Sequence, residues 1–147
     1  MTGDGTLFRL VYASRSLVPE DRVPVELPRI LDAARRCNAA QGITGALLFS
    51  ADGFVQALEG PMSAVERTFE RIQCDPRHAE VVVLEAGPVA ARQFDGWSMA
   101  FAGRRPDLRL GDLWPGELRS GDLGAAPAIL GLLHAALRRL PGHPVAA

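Results

Sequence analysis

Apolar and polar positions alternate from Leu7 to Ala13, with Phe8, Leu10 and Tyr12 on one side and Leu7, Arg9 and Val11 on the other. A period of two carried by Phe, Val and Tyr predicts a strand. Ser16 to Pro24 reads as a loop. Beyond it the period lengthens, and Leu27, Ile30, Leu31, Ala34 and Asn38 recur at the spacing of a helix that reaches about Asn38. Ile30, Ala34 and Asn38 stack at i, i+4 and i+8, which puts an amide at the end of an apolar stripe. Pro24 and Pro28 are expected at the edge or first turn of this helix, where a missing N–H is tolerated. Ile43–Ser50 and Phe54–Glu59 read as a hairpin about Ala51-Asp52-Gly53, with Phe54, Gln56 and Leu58 on one face. Pro61 and Ser63 open a second helix, where Ser63-Ala64-Val65-Glu66 fits a capping box and Val65, Phe69 and Ile72 form the apolar side. Glu80–Ala86 is the next strand, and Val81-Val82-Val83-Leu84 is apolar enough to be buried on both faces. Trp97–Ala102 is the fifth, with Trp97, Met99 and Phe101 on a common face.

This order is β-α-β-β-α-β-β. With right-handed crossovers it predicts an α+β, ferredoxin-like sheet carrying two helices on one face. Residues 1–102 make up that domain. Residues 103–147 differ: they are broken early by Gly103-Arg104-Arg105-Pro106 and Trp114-Pro115-Gly116. They end in a predicted helix, 127–140, with Ile129, Leu133, Ala136, Leu137 and Leu140 on one side. This is a C-terminal extension, too short for a second domain.

Composition narrows the functional classes. The chain has 147 residues, 48% apolar and 22% charged, as in a soluble globular protein. A net charge of −1 gives no electrostatic footprint for nucleic acid. No apolar run approaches the ~18 residues of a membrane span. The N-terminus lacks the pattern of a signal peptide. Cys37 and Cys74 have neither metal spacing nor a disulfide framework, so a reduced, cytoplasmic setting is expected.

The candidate chemistry lies in Tyr12, Asn38 and Gln56, three polar groups on core-facing positions. Burying such groups without partners costs roughly 1–3 kcal/mol each, so they must satisfy one another or a polar ligand. Taken singly, each has an ordinary reading. Tyr12 could be a core tyrosine, Asn38 a helix C-cap, and Gln56 a partner in a cross-strand bond. Arg71 and Asp75, at i and i+4, could be a surface ion pair worth a few tenths of a kcal/mol.

Each polar group nevertheless sits in its own phrase. These are Leu10-Val11-Tyr12-Ala13-Ser14, Asn38-Ala39-Ala40-Gln41-Gly42-Ile43-Thr44-Gly45 and Phe54-Val55-Gln56-Ala57-Leu58-Glu59-Gly60, followed by Gly96-Trp97-Ser98-Met99. In that order and on those elements, over about residues 7 to 102, they resemble the BLUF family of flavin-using blue-light sensors. The resemblance implies a flavin held noncovalently between the two helices, with FAD expected and FMN or riboflavin as alternatives. It implies that Ile30, Asn38, Gln56, Arg71, Asp75, Arg77 and His78 contact the cofactor, and that Tyr12, Gln56, Trp97 and Met99 form the photoactive network. In the implied cycle Tyr12 gives up an electron on illumination, a proton passes through Gln56, and the Gln56 side chain rearranges. A changed hydrogen-bond network persists beside oxidised flavin. No catalytic residue is implied. Signalling to an unknown protein partner or through a homo-oligomer, with a dimer favoured, is expected.

Cys37 departs from the family pattern, which often has Asn or His there. A thiol beside flavin invites comparison with the LOV photoreceptors, but Arg36-Cys37-Asn38-Ala39 does not match their cysteine segment. The competing reading is an enzyme of acylphosphatase type on the same scaffold. It would use Arg15 and Asn38 and would leave the Gln56 phrase unexplained.

Overall fold

The computed structural model describes residues 6–50, 52–96 and 98–105, together with Gly131 and Leu133. Its elements are β1 (Leu7–Ser16), a 3₁₀ turn (Glu20–Arg22), α1 (Val23–Gln41), β2 (Thr44–Ser50), β3 (Gly53–Pro61), α2 (Met62–Gln73), β4 (His78–Pro88) and β5 (Ala100–Arg105). One five-stranded sheet has the order β4-β1-β3-β2-β5. β1 is antiparallel to both β3 and β4, β2 is antiparallel to β3, and β5 runs parallel to β2. Each β-α-β crossover therefore skips over a central strand, the split arrangement of the ferredoxin-like fold.

Both helices cover the same face. Val23 and Leu31 of α1 and Ala64 and Val65 of α2 share a core with Leu10, Leu47, Phe49, Phe54 and Leu58 of the strands. The opposite face is also withdrawn from solvent: Val11, Ala46, Leu48, Val55, Ala57 and Leu84 are buried. That face contains a charged pair, Arg9 Nε to Glu59 Oε2 at 3.1 Å.

Several local expectations shift. α1 begins at Val23, behind the 3₁₀ turn, so Pro28 falls inside the helix, past its first turn. α1 runs past Asn38 and ends at Gly42, whose φ of 70° suits a residue without a Cβ. Asn38 is therefore an inward-facing helical residue and not the cap. α2 begins at Met62, because β3 passes straight into it through Pro61, and no side chain caps it. Ser63 is then already inside the first turn, which defeats the capping box. β4 is an edge strand, so Val81, Val82 and Val83 are only half-buried, while Leu84 is fully buried. β5 begins at Ala100, not at Trp97. The carbonyls of Ser98 and Met99 are taken by side chains of α1, so no neighbouring strand claims them. Trp97 and most of the predicted helix 127–140 lie outside the described residues; Gly131 and Leu133 are helical and Leu133 is buried. Among the described residues no helix is long and apolar enough to cross a membrane.

Candidate functional site

A cavity of about 230 Å³ opens between α1 and α2 against the sheet. Its apolar wall comes from Ile30, Ala33 and Ala34 of α1, Leu47 and Phe54 of the sheet and Ile72 of α2. Tyr12, Asn38, Gln56 and Thr68 add polar groups, and Arg71, Asp75, Arg77 and His78 add charged and titratable ones. Every candidate cofactor contact read from the sequence lines this one space.

Register explains why the central pair meets. Tyr12 and Gln56 stand directly opposite each other across the β1–β3 ladder. Cross-strand neighbours on one face are close enough to bond, and the Tyr12 hydroxyl donates to Gln56 Oε1. The other end of the amide, Nε2, reaches Met99 Sδ at 3.6 Å. Met99 is thus the fifth-strand-region neighbour of Gln56, although it stands just before β5 and not within it. Asn38 Nδ2 donates to Ser98 O at 2.8 Å. Tyr12 is 3% exposed. Burial, and after it the negative charge of Asp75, pushes its phenol well above the usual tyrosine range.

Asp75 does not pair with Arg71. Its carboxylate is gripped by Arg77, through Nε at 3.0 Å and Nη2 at 2.6 Å, and it also accepts the Arg77 backbone N–H at 2.9 Å. The bond from the Arg77 side chain is the chief reason the Asp75 carboxyl lies below its ordinary range, and the same bond raises Arg77. Arg77 also lies 3.6 Å from Glu26 of α1, so the mouth of the cavity is a charge cluster that bridges α1 and the loop after α2. Among the described residues, no carboxylate lies within ion-pair range of Arg71, which leaves its guanidinium for the cavity. His78 is held from both sides. Nε2 lies 2.7 Å from Ile72 O and Nδ1 lies 2.8 Å from Ser14 Oγ. A carbonyl can only accept, so Nε2 carries a proton and, in the neutral ring, the Ser14 hydroxyl donates to Nδ1.

The sequence reading missed Thr68, Ser14 and Arg35. Thr68 is a buried hydroxyl one turn before Arg71 on α2, and a polar residue on an apolar helix face was the available signal. Ser14 follows Tyr12 by two and so shares its face. Arg35 precedes Asn38 by three, and its Nε donates to Met99 O at 2.9 Å. Cys37 lines the cavity as a free, half-buried thiol. The residues needed by an acylphosphatase-type site are not brought together. Arg15 points outward to an exposed pair with Glu80, while Asn38 is committed to the cavity wall and to Ser98.

The donor set suits a flat, apolar ring with one polar edge, and flavin is such a group. The walls are aliphatic and aromatic, the two amides are buried, and the charged groups are more exposed. The comparisons agree. A 102-residue stretch, 69% of the chain, is 41% identical to the photoactivated adenylate cyclase subunit beta of Euglena gracilis, yet covers 12% of that relative. The blue light- and temperature-regulated antirepressor BluF of Escherichia coli (strain K12) is 35% identical over 104 residues, 71% of the chain and 24% of the relative. Among solved structures, the dark state of BlrB, a BLUF protein, superposes with a TM-score of 0.68 at 35% identity over 90% of this chain and 95% of that one. The BlsA ground state gives a TM-score of 0.69 at 32% identity, with 86% and 87% covered. Residues 7–100 match the family described as sensors of blue light using FAD, so the chain belongs to the BLUF family of blue-light photosensors.

Proposed function

We propose that the chain binds flavin noncovalently in the cavity between α1 and α2 and senses light through the Tyr12–Gln56 pair. The observation that carries this reading is the buried hydrogen bond from Tyr12 to Gln56 Oε1 at the cavity wall. Ile30 would pack against the ring, and Asn38 and Gln56 would bond its polar edge. Arg71, Asp75, Arg77 and His78 would close the mouth, and the guanidinium of Arg71 would suit an anionic tail, which favours FAD or FMN over riboflavin. When bound, flavin would supply blue-light absorption and an electron acceptor. Tyr12 is the donor. Its environment disfavours a bare phenolate and its proton already points at Gln56, so electron and proton leave by adjacent paths. The Gln56 amide then exchanges its donor and acceptor ends, and Met99, with Trp97 beside it in sequence, senses the exchange.

In this reading residues 1–102 form the sensor and 103–147 the extension that receives the change. The output is a population shift that alters contact with a second copy of the chain or with another protein. No catalytic step is assigned to this chain. The cyclase activity named for the Euglena relative is that protein's, and the chain spans 12% of it. Absorption spectra of the purified protein, dark and after blue light, test the reading. Oxidised flavin bands with a reversible red shift are expected, and mass spectrometry of the released cofactor separates FAD from FMN and riboflavin. A colourless protein that takes up no added flavin refutes it.

A further inference from the structure

Glu59 belongs to the Gln56 phrase, yet the cavity does not use it. Its carboxylate is 0% exposed on the opposite face of the sheet. It accepts from Arg9 Nε at 3.1 Å, from the backbone N–H of Gln93 at 2.9 Å and of Phe94 at 3.0 Å, and from Thr44 Oγ1 at 3.4 Å. Arg92 adds bonds to Thr44 Oγ1 at 2.8 Å, Glu59 O at 3.0 Å and Gly42 O at 2.8 Å. The start of the connection between β4 and β5 is thus fastened to β2 and β3. A few residues on, the same connection is fastened to α1, by Asn38 to Ser98 O at 2.8 Å and by Arg35 to Met99 O at 2.9 Å. Met99 stands at the second anchor, just before β5, 2% exposed and with its sulfur on Gln56.

The thioether holds Gln56 weakly, since sulfur is a poor acceptor. Core packing holds the Met99 side chain, and the backbone anchors hold the segment that presents it. Arg35 is on the exposed side of α1, so its bond to a carbonyl is dispensable for the core and informative about the connection.

We propose that Glu59 and Arg35 are positioning residues of the light-sensing network. They fasten the two ends of the 92–99 connection, keep Met99 beside Gln56 in the dark, and thereby set how fast the network returns after illumination. The proposal rests on the flavin reading above and deepens it.

Arg35→Met removes the donor and keeps the bulk; Arg35→Lys keeps a cation; Glu59→Gln keeps the shape and removes the charge. Arg35→Met should retain flavin and the amplitude of the red shift. Its dark-recovery rate should differ from wild type by roughly two- to tenfold, the size expected for one hydrogen bond, with Arg35→Lys closer to wild type. Independently of light, Arg35→Met should move the Met99 methyl resonance, and Glu59→Gln should speed amide exchange at Gln93 and Phe94. If Glu59→Gln does not fold, the Arg35 pair of variants decides. An unchanged recovery rate together with an unmoved Met99 methyl in Arg35→Met overturns the proposal. If the wild type binds no flavin, the function reading falls, and the methyl shift and amide exchange still decide the positioning claim.

Discussion

Removing the Tyr12–Gln56 bond from either side should strand its partner in the interior. Gln56→Leu deletes the acceptor and leaves the Tyr12 hydroxyl in a place that is 3% exposed. An unsatisfied buried donor costs about 1–3 kcal/mol. Tyr12→Phe deletes the donor and leaves the carbonyl of Gln56, 5% exposed on the same cavity wall, without its partner. That variant should lose a similar amount, about 1–3 kcal/mol. Tyr12→Phe/Gln56→Leu removes both groups at once and leaves nothing unpaired. Its destabilisation should fall short of the sum of the single values by about 1 kcal/mol or more.

Urea unfolding of the four proteins, read with equal slopes and at one fixed excess of flavin, measures this coupling. The same four samples give the photochemistry. All three variants should hold flavin and lack the reversible red shift, because members of one relay fail as a unit. Additivity within about 0.3 kcal/mol would refute the buried bond. A full wild-type red shift in either single variant would refute its role.

Tyr12 is the chain's single tyrosine, so alkaline difference absorbance reads it alone. Burial first and the Asp75 charge second raise its folded pKa above the unfolded value of about 10. The protonated phenol therefore contributes stability that is complete below about pH 10 and lost as pH rises beyond it; tyrosinate should appear only with unfolding, and a native tyrosinate near pH 10 contradicts this. Asp75 has the opposite sign. Its folded pKa is lowered, chiefly by the bond from Arg77, so its contribution is present above the unfolded pKa of about 4 and disappears as pH falls through the folded one. Asp75→Asn should flatten the acid limb of a stability profile, and an unchanged limb would show that the pair contributes nothing. Gly45→Ala would place a Cβ 2.0 Å from Ala57 O and 3.3 Å from Met99 Cε. The β2–β3 pairing must shift, so thermal unfolding should show a loss of about 2 kcal/mol or more, and a wild-type Tm would refute the close approach.

Much of this molecule is legible in the sequence, for identifiable reasons. Tyr12, Gln56 and Asn38 were readable because a polar residue on an apolar face contradicts its own periodicity, and such contradictions gather at functional sites. Strand alternation put Tyr12 and Gln56 on core-facing sides, but their pairing needed the β1–β3 register, which alternation does not supply. Pattern failed where tertiary context decides. The valines of β4 read as doubly buried, yet the strand lies at an edge. Ser63 resembled a cap, yet Pro61 joins β3 to α2 without a linker. Met99 read as a strand residue, yet side chains of α1 take the carbonyls there. Glu59 and Arg9 gave no signal of burial, because one alternates with Leu58 and the other with Leu10 as solvent-facing residues do.

Under the proposed function, the partners of Gln56 explain why an amide would suit a light-operated element. Its carbonyl end meets a phenol, a good donor, while its amino end meets a thioether, a poor acceptor. A half-turn of the amide gives up one strong bond and one weak one. If a light-driven proton shift leaves the Tyr12 oxygen able to accept, the turned amide can give it an N–H and recover the strong bond. Little is lost on the sulfur side in either arrangement. A carboxylate at this position would offer identical oxygens and no distinguishable turned state, and an aliphatic side chain would offer none. Two arrangements of near-equal energy need walls that do not follow the side chain, and here the walls are fixed by stronger bonds. The charged clamp at Glu59 lies behind the sheet, and the Asp75–Arg77 pair lies at the mouth. A soft contact inside a stiff frame lets one side chain turn while its surroundings stay. Under the proposed function the change would then pass through Met99, whose backbone leads directly into β5.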